Sequence, residues 1–180
     1  CGVCPACRKG LQSHCSAYPG LTGYGVPSEH NWGGLFSEEV RVPFADGMLV
    51  KLPDDVDPIA VASASDNLTD AYISVKRAML QHPGAEVLIV NDIESLGLFA
   101  ADHALAAGAR NVVYVDASEK RRHAAQSLGA KTLTTLTEKM AMDYHVVLGA
   151  SRDPLQLRAA MLCLAPGGHF SNIAIFLDDT

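Results

Sequence analysis

"VLIVNDIESLGLFAADHALAAGARNVVYVD", residues 87 to 116, sets out a strand, a tight turn, a helix and a second strand in succession. "EVLIV" is an almost unbroken apolar run, as a parallel strand buried on both faces requires. "SLGLFAADHALAAG" keeps a helical pattern and stops at Gly108. "NVVYVD" is again a buried strand. This is the layout of a dinucleotide-binding unit, but the turn "NDIESLG" departs from the usual G-x-G-x-x-G. Gly97 fits the last glycine, the one that lets helix and strand pack closely. Counting back past Leu96 and Ser95, the second glycine position holds Glu94 and the first holds Asp92. A shift of one residue puts Asn91 and Ile93 there instead, and neither register restores the motif. Glu94 brings bulk and charge to the place of a pyrophosphate. Two unit charges ~5 Å apart interact by ~3 kcal/mol at an effective dielectric of 20, and by under ~1 kcal/mol in water. The expected penalty is roughly 1–3 kcal/mol, about ten- to a hundredfold in affinity. A side chain directed to solvent spares most of it, and a Glu94 placed over the helix N-terminus would itself stand in for the phosphate.

Asp116 ends the second strand, 19 residues after Gly97. An acid there accepts hydrogen bonds from the adenosine ribose hydroxyls and repels a 2′-phosphate, which favours NAD over NADP. The plainer alternative is a polar strand end or a cap for the next helix. Arg121 lies five residues further on, where a guanidinium flanks the adenine or a 2′-phosphate. Lys120 and Arg122 crowd the same stretch, and a solvated helix face explains all three equally well.

The alternation continues beyond this unit. "SEKRRHAAQSLG" is a helix with Ser118 as its cap and Gly129 as its stop, and "AKTLTT" is a short strand. "TEKMAMD" reads as a short, poor helix, "YHVVLGAS" as a fourth strand, "DPLQLRAAMLCLAPGG" as a helix and "HFSNIAIF" as a fifth strand. Strands and helices at this spacing specify an α/β fold with a doubly wound parallel sheet. Upstream, "SDNLTDAYISVKRAML" is a helix capped by Ser65, Asp66 or Asn67, and "DDVDPIAVASA" has helix-start signals. "FSEEVRVP" and "GMLVKLP" read as strands, and residues 1 to about 36 carry the Gly, Pro and Tyr content of a loop-rich segment.

Four of the five cysteines fall in the first 15 residues: Cys1, Cys4, Cys7 and Cys15, spaced C-x2-C-x2-C-x7-C. Such close spacing lets a short knuckle turn several sulfurs to one point, which suits a tetrahedral zinc. An iron–sulfur site fits the fourth spacing poorly, and disulfides across two-residue gaps would be strained. Four thiolates close the shell and leave no place for water, so such a zinc is structural. His14 reads as a surface neighbour rather than a fifth ligand, and Cys163 lies alone in an apolar run.

At 180 residues and 48% apolar, the chain can build one full domain and part of another. Its net charge of -6 argues against nucleic acid or anionic membrane as the main partner. No apolar run approaches the ~18 residues of a membrane span. The opening "CGVCPAC" has neither an initiator Met nor a signal-peptide pattern, and points to a piece of a longer protein.

The cysteine loop, "GGLFSEEVRVP", "SASDNLTDAY" and the strand–turn–helix unit together resemble the zinc-dependent medium-chain alcohol dehydrogenases, in that family's order over nearly the whole chain. The resemblance implies a Rossmann-type doubly wound sheet preceded by part of a GroES-like catalytic domain with a structural zinc loop. Its boundaries would be 1–83 for the GroES-like part and 84–180 for an incomplete Rossmann domain. It implies hydride transfer between a small-molecule alcohol or aldehyde and NAD, with NADP less favoured, in a cytoplasmic homo-oligomer. "DNLTDAY" matches a subgroup in which Asp66 takes the place of a cysteine as catalytic zinc ligand, against the plainer reading of Asp66 as a helix cap. In that family the first catalytic ligand and a Gly-His-Glu segment precede the cysteine loop, and a sixth strand follows the fifth. The chain taken alone is therefore expected to be inactive. The alternative is a non-catalytic, zinc-stapled Rossmann module with weak or lost nucleotide binding.

Overall fold

The computed structural model describes residues 1–18, 20, 22–137 and 143–176. Five strands run parallel: β1 (Glu86–Asn91), β2 (Asn111–Val115), β3 (Lys131–Leu133), β4 (Tyr144–Ala150) and β5 (Leu164–Asn172). Their order across the sheet is β3-β2-β1-β4-β5. This is the doubly wound arrangement expected from the alternation, and the order reverses between β1 and β4.

The winding follows from alternate residues facing opposite sides of a strand. Val87, Ile89, Val112, Tyr114, Val146 and Leu148 face one core. That core is closed by α3 (Asn67–Gln81), α4 (Leu96–Ala106) and α5 (Glu119–Leu128), through small residues such as Ala71, Ala100, Ala104 and Ala125. Leu88, Val90, Val113, Val115 and Val147 face the other core, closed by Ala159 and Ala160 of α6 (Pro154–Leu162) and by Cys163. The helix ends carry the expected signals. Ser118 caps α5 by accepting from the Arg121 N–H at 3.4 Å, and Gly129 ends it at φ 106°. Asp153 caps α6 by accepting from the Leu155 N–H at 2.8 Å.

Contacts divide the chain into two compact units, Cys1–Val56 and Asp57–Thr180. This division lies upstream of the 83/84 boundary expected from sequence. The reason is α3, whose Ala71, Val75, Ala78 and Met79 join the core of the sheet. The first unit contains α1 (Pro5–Arg8), a 3-10 turn (Gln12–His14) and α2 (Ala45–Met48). Tyr18 packs edge-on against Trp32 at 5.0 Å and Phe44 at 5.5 Å, and Tyr24 against Trp32 at 5.3 Å. Among its described residues, Cys7 is the one buried apolar side chain.

Three local expectations fail. Residues 36–43 and 47–53 are not strands, and α2 occupies part of the second. A strand needs a neighbour to take its N–H and C=O groups. Among the described residues no strand pairs with these segments, and Phe36, Leu49 and Val50 are exposed. Residues 54–64 form successive turns, with Ala60, Ala62 and Ala64 each donating to the residue three before, rather than a helix. β5 begins at Leu164, earlier than expected, passes a register shift opposite Tyr144–Val146, and ends at Asn172. The short helix expected at "TEKMAMD" falls largely in residues 138–142, outside the described residues.

Gly97 shows why the turn requires its one glycine. A Cβ there would stand 2.5 Å from Asn91 Oδ1 and 2.7 Å from Asn91 Cβ, both in a buried side chain. Gly97→Ala should destabilise the chain by about 1–3 kcal/mol, the range for overpacking a tight site. Urea unfolding followed by circular dichroism would read this as a lower midpoint at unchanged slope. An unshifted midpoint would mean that Asn91 yields.

Candidate functional site

The four N-terminal cysteines converge. The sulfurs of Cys1, Cys4, Cys7 and Cys15 all lie within 4.8 Å of one another, and Cys1 Sγ is 4.0 Å from Cys7 Sγ. A tetrahedral zinc with ~2.3 Å bonds sets its sulfurs ~3.8 Å apart, so a small contraction closes the shell. Local backbone prepares the thiolates. N–H groups at Cys7 and then Ser16 lower the Cys4 thiol to about 6, and the Ala17 N–H lowers Cys15. Cys7 stands above the ordinary thiol value. The Gly2 N–H draws it down, but burial and the thiols of Cys4 and Cys15 outweigh that. His14 is exposed and is not part of the quartet. Among the described residues, this is the only group of three or more potential ligands that comes together.

Asp66 occupies the position before α3, but its side chain makes no capping bond. It is exposed. Asp70, one turn along, is raised above the usual carboxylate range by partial burial and then by the charge of Asp66.

The second candidate site lies in the sheet unit, at the carboxyl ends of β1, β2 and β4. A cleft of about 230 Å³ there is lined by Asn91, Asp92, Asp116, Thr135, Ser151 and Gln156, among others. The crevice where strand order reverses is the general ligand site of doubly wound sheets.

The turn residues expected to meet a cofactor fall into distinct places. Asp92 turns sideways: its carboxylate accepts from Ser151 Oγ at 2.7 Å and from the Arg152 N–H at 2.9 Å, tying the β1 turn to the β4 turn. Its other oxygen is enclosed, with the Arg152 guanidinium 4.0 Å away. Glu94 points outward, with its side chain 90% exposed, and lies 3.7 Å from Arg121 Nη1. Ser95 sits at the start of α4 without a capping bond. Leu96 is buried in the core, so only its backbone faces the turn. The Gly97 N–H donates to Asn91 Oδ1 at 3.1 Å.

Asp116 is the centre of a buried network. Its Oδ2 accepts from Asn91 Nδ2 at 2.7 Å, Tyr114 OH at 2.9 Å and Arg121 Nε at 2.7 Å. Its Oδ1 accepts from the Ser118 N–H at 2.7 Å and Arg121 Nη2 at 3.0 Å. A carboxylate offers about four lone-pair sites. These donors fill them, and the Asp116 side chain is fully enclosed. Burial alone would raise its pKa, but the bonds from Arg121, Asn91, Ser118 and Tyr114 hold it below the usual carboxylate value. Tyr114, buried and bonded to Asp116, is pushed well above the ordinary phenol value. Arg122 Nη1 donates to the carbonyls of Asp116 and Ala117 at 2.7 and 2.8 Å, so it braces the loop rather than standing in solvent.

Sequence reasoning named Asn91 only as an alternative glycine position and passed over Tyr114. The signal was available, because Asn91 is a polar residue closing a buried strand. Parallel register pairs Ile89 with Tyr114 and Val90 with Val115, which brings Asn91 level with Asp116.

The zinc-binding dehydrogenase family profile matches residues 95–180. A zinc-type alcohol dehydrogenase-like protein of Escherichia coli strain K12, YdjL, is 34% identical, covering 97% of this chain and 52% of its own length. L-Threonine 3-dehydrogenase of Streptomyces avermitilis is 32% identical, covering 83% of this chain and 40% of its own. The solved structure of the alcohol dehydrogenase TADH from Thermus sp. ATN1 superposes with a TM-score of 0.87 at 27% identity, covering all of this chain and 55% of that one. The chain thus spans about half the length of the relatives it matches. The fold, the converging cysteines and these relatives agree: the chain belongs to the zinc-dependent medium-chain alcohol dehydrogenase family.

Proposed function

We propose that this chain is the part of a zinc- and nicotinamide-dependent alcohol dehydrogenase that carries the structural zinc loop and the nucleotide-binding sheet. The observation that carries the reading is the cleft at the β1/β4 reversal, lined by Asn91 and Asp92 at the start of the turn and by Asp116. A bound nicotinamide would supply hydride transfer and a catalytic zinc would supply polarisation of the alcohol oxygen.

The chain's own residues supply binding and orientation. Cys1, Cys4, Cys7 and Cys15 hold a structural zinc, and Asp66 is the chain's ligand to a catalytic one. The Asp92–Gly97 turn, Asp116 and Arg121 border the adenosine and pyrophosphate of NAD, which is preferred over NADP. Residues 1–83 correspond to part of the family's GroES-like catalytic domain and 84–180 to its Rossmann domain. The substrate is a small alcohol or aldehyde, and the setting is a cytoplasmic homo-oligomer. No helix among the described residues is long and apolar enough to cross a membrane. Beyond β5, an edge of the sheet among the described residues, Ile175 and Phe176 are exposed, which favours self-association. Whether the segment "LDDT" covers that edge lies outside the described residues. The non-catalytic alternative draws no support from relatives that are named as dehydrogenases.

Titration with NADH, read by nucleotide fluorescence, tests the proposal. One saturable site competed by 5′-AMP is expected. Linear, non-saturating fluorescence up to millimolar NADH would contradict it.

A further inference from the structure

Three charged residues beside the cleft belong together, Asp116 in its lining and Arg121 and Glu94 next to it. Asp116, the acid at the end of β2, is enclosed, and its charge is matched by Arg121 through two hydrogen bonds. Arg121 is thereby held in one orientation, with Nη1 directed away from Asp116 toward Glu94 at 3.7 Å. Glu94 itself is 90% exposed and, among the described residues, is held by no hydrogen bond. It therefore presents a solvent-exposed negative charge on this side of the turn, paired only with Arg121 among the described residues. An acid at the end of the second strand ordinarily decides between a 2′-hydroxyl and a 2′-phosphate on the adenosine ribose. Here that acid is both covered and neutralised, and the charged pair left on the outer side of the turn is Arg121 Nη1 with Glu94.

We infer that Glu94, as the resident counter-ion of the Arg121 guanidinium, sets the preference against 2′-phosphorylated nucleotides in this chain. The inference rests on the nicotinamide-nucleotide reading of the cleft and names the residue that sets its selectivity. A 2′-phosphate needs a cation; Arg122 directs Nη1 to the carbonyls of Asp116 and Ala117, whereas Arg121 keeps Nη1 clear of Asp116 and turned toward Glu94. A planar guanidinium suits the 2′-phosphate, because it binds phosphate through paired N–H groups. Glu94 occupies that cation from the far side and repels the incoming dianion. A ribose with only hydroxyls neither needs Nη1 nor feels the same repulsion. Because Glu94 is exposed and its ion pair weak, it is displaceable, so removing it should alter selectivity without altering the fold.

The test is paired titration of the zinc-loaded full chain with 5′-AMP and 2′,5′-ADP, and with NAD and NADP, for the parent protein, Glu94→Gln and Arg121→Met. Glu94→Gln should raise affinity for 2′,5′-ADP and NADP by about tenfold, and for 5′-AMP and NAD by threefold or less, a gap of the size that one removed charge produces near a dianion. Arg121→Met leaves Asp116 unpaired, so it is titrated at a temperature where circular dichroism shows it folded, and there it should lower the affinity of the 2′-phosphorylated pair more than that of the other pair. Circular dichroism confirms that Glu94→Gln folds as the parent does. Equal gains for both pairs in Glu94→Gln overturn the inference while leaving nucleotide binding intact, since they would place Glu94 against the shared phosphates instead. No change in either pair overturns it as well. Absence of binding by every variant and every nucleotide overturns the underlying reading along with it.

Discussion

Replacing Cys7 by serine should abolish stoichiometric zinc binding and unfold the first unit. Metal analysis of the parent chain should find about one zinc per molecule, and of Cys7→Ser close to none. The reason is the composition of Cys1–Val56. Apart from Cys7 itself, its described residues bury no apolar side chain, and its packing rests on the ring contacts of Tyr18, Tyr24, Trp32 and Phe44. A segment with so small a core needs a metal or cross-link to stay folded. Structural zinc contributes an apparent ~10–16 kcal/mol to small domains. Loss of the metal should therefore appear as lost Trp32 fluorescence structure and as rapid proteolysis within residues 1–56, with the sheet unit left intact. Iron in place of zinc, or a metal-free parent with an ordered first unit, would contradict this.

The second large effect concerns stability of the sheet. Asp116→Asn removes the charge that Arg121 matches and turns an amide N–H toward the donors of Asn91, Tyr114 or Ser118. Breaking a buried, hydrogen-bonded ion pair costs ~3–5 kcal/mol. For a unit of this size that lowers the melting temperature by roughly 10–20 °C. Glu119→Gln, on the exposed face of α5, serves as the control and should change stability by under ~0.5 kcal/mol. The same network sets a pH dependence. The folded-state pKa of Asp116 is depressed, so its stabilisation is fully present above the unfolded-state value of ~3.9 and is lost as pH falls through the folded value. Acid unfolding of the sheet unit should shift to higher pH in Asp116→Asn. An unchanged acid midpoint would mean that Asp116 does not carry the linkage.

Much of this architecture was legible because β1, α4, β2 and α5 are specified locally. The strands are apolar runs, and Gly108, Ser118 and Gly129 mark helix ends by backbone preference and side-chain capping. The family's order of motifs was legible too, from the cysteine spacing onward. What could not be read were segments whose state depends on neighbours. Residues 36–43 alternate as a strand does, yet alternation does not supply a partner strand. Residues 54–64 have helix-start chemistry, yet close into turns. The direction of each acid in the turn was also out of reach. Asp92 and Glu94 are two residues apart, but one is bound by Ser151 and the Arg152 N–H while the other faces Arg121. The motif places both at glycine positions and Glu94 at the one that faces a pyrophosphate. Glu94 points to solvent with its side chain 90% exposed, so the phosphate penalty falls toward the low end of the expected ~1–3 kcal/mol.

Nucleotide-induced amide shifts in the zinc-loaded chain test the central claim most directly. With saturating NAD, the account predicts shifts concentrated in residues 92–98, 116–118 and 151–153, the three loops around the β1/β4 cleft. Saturable shifts centred elsewhere, or none at millimolar NAD, would contradict it.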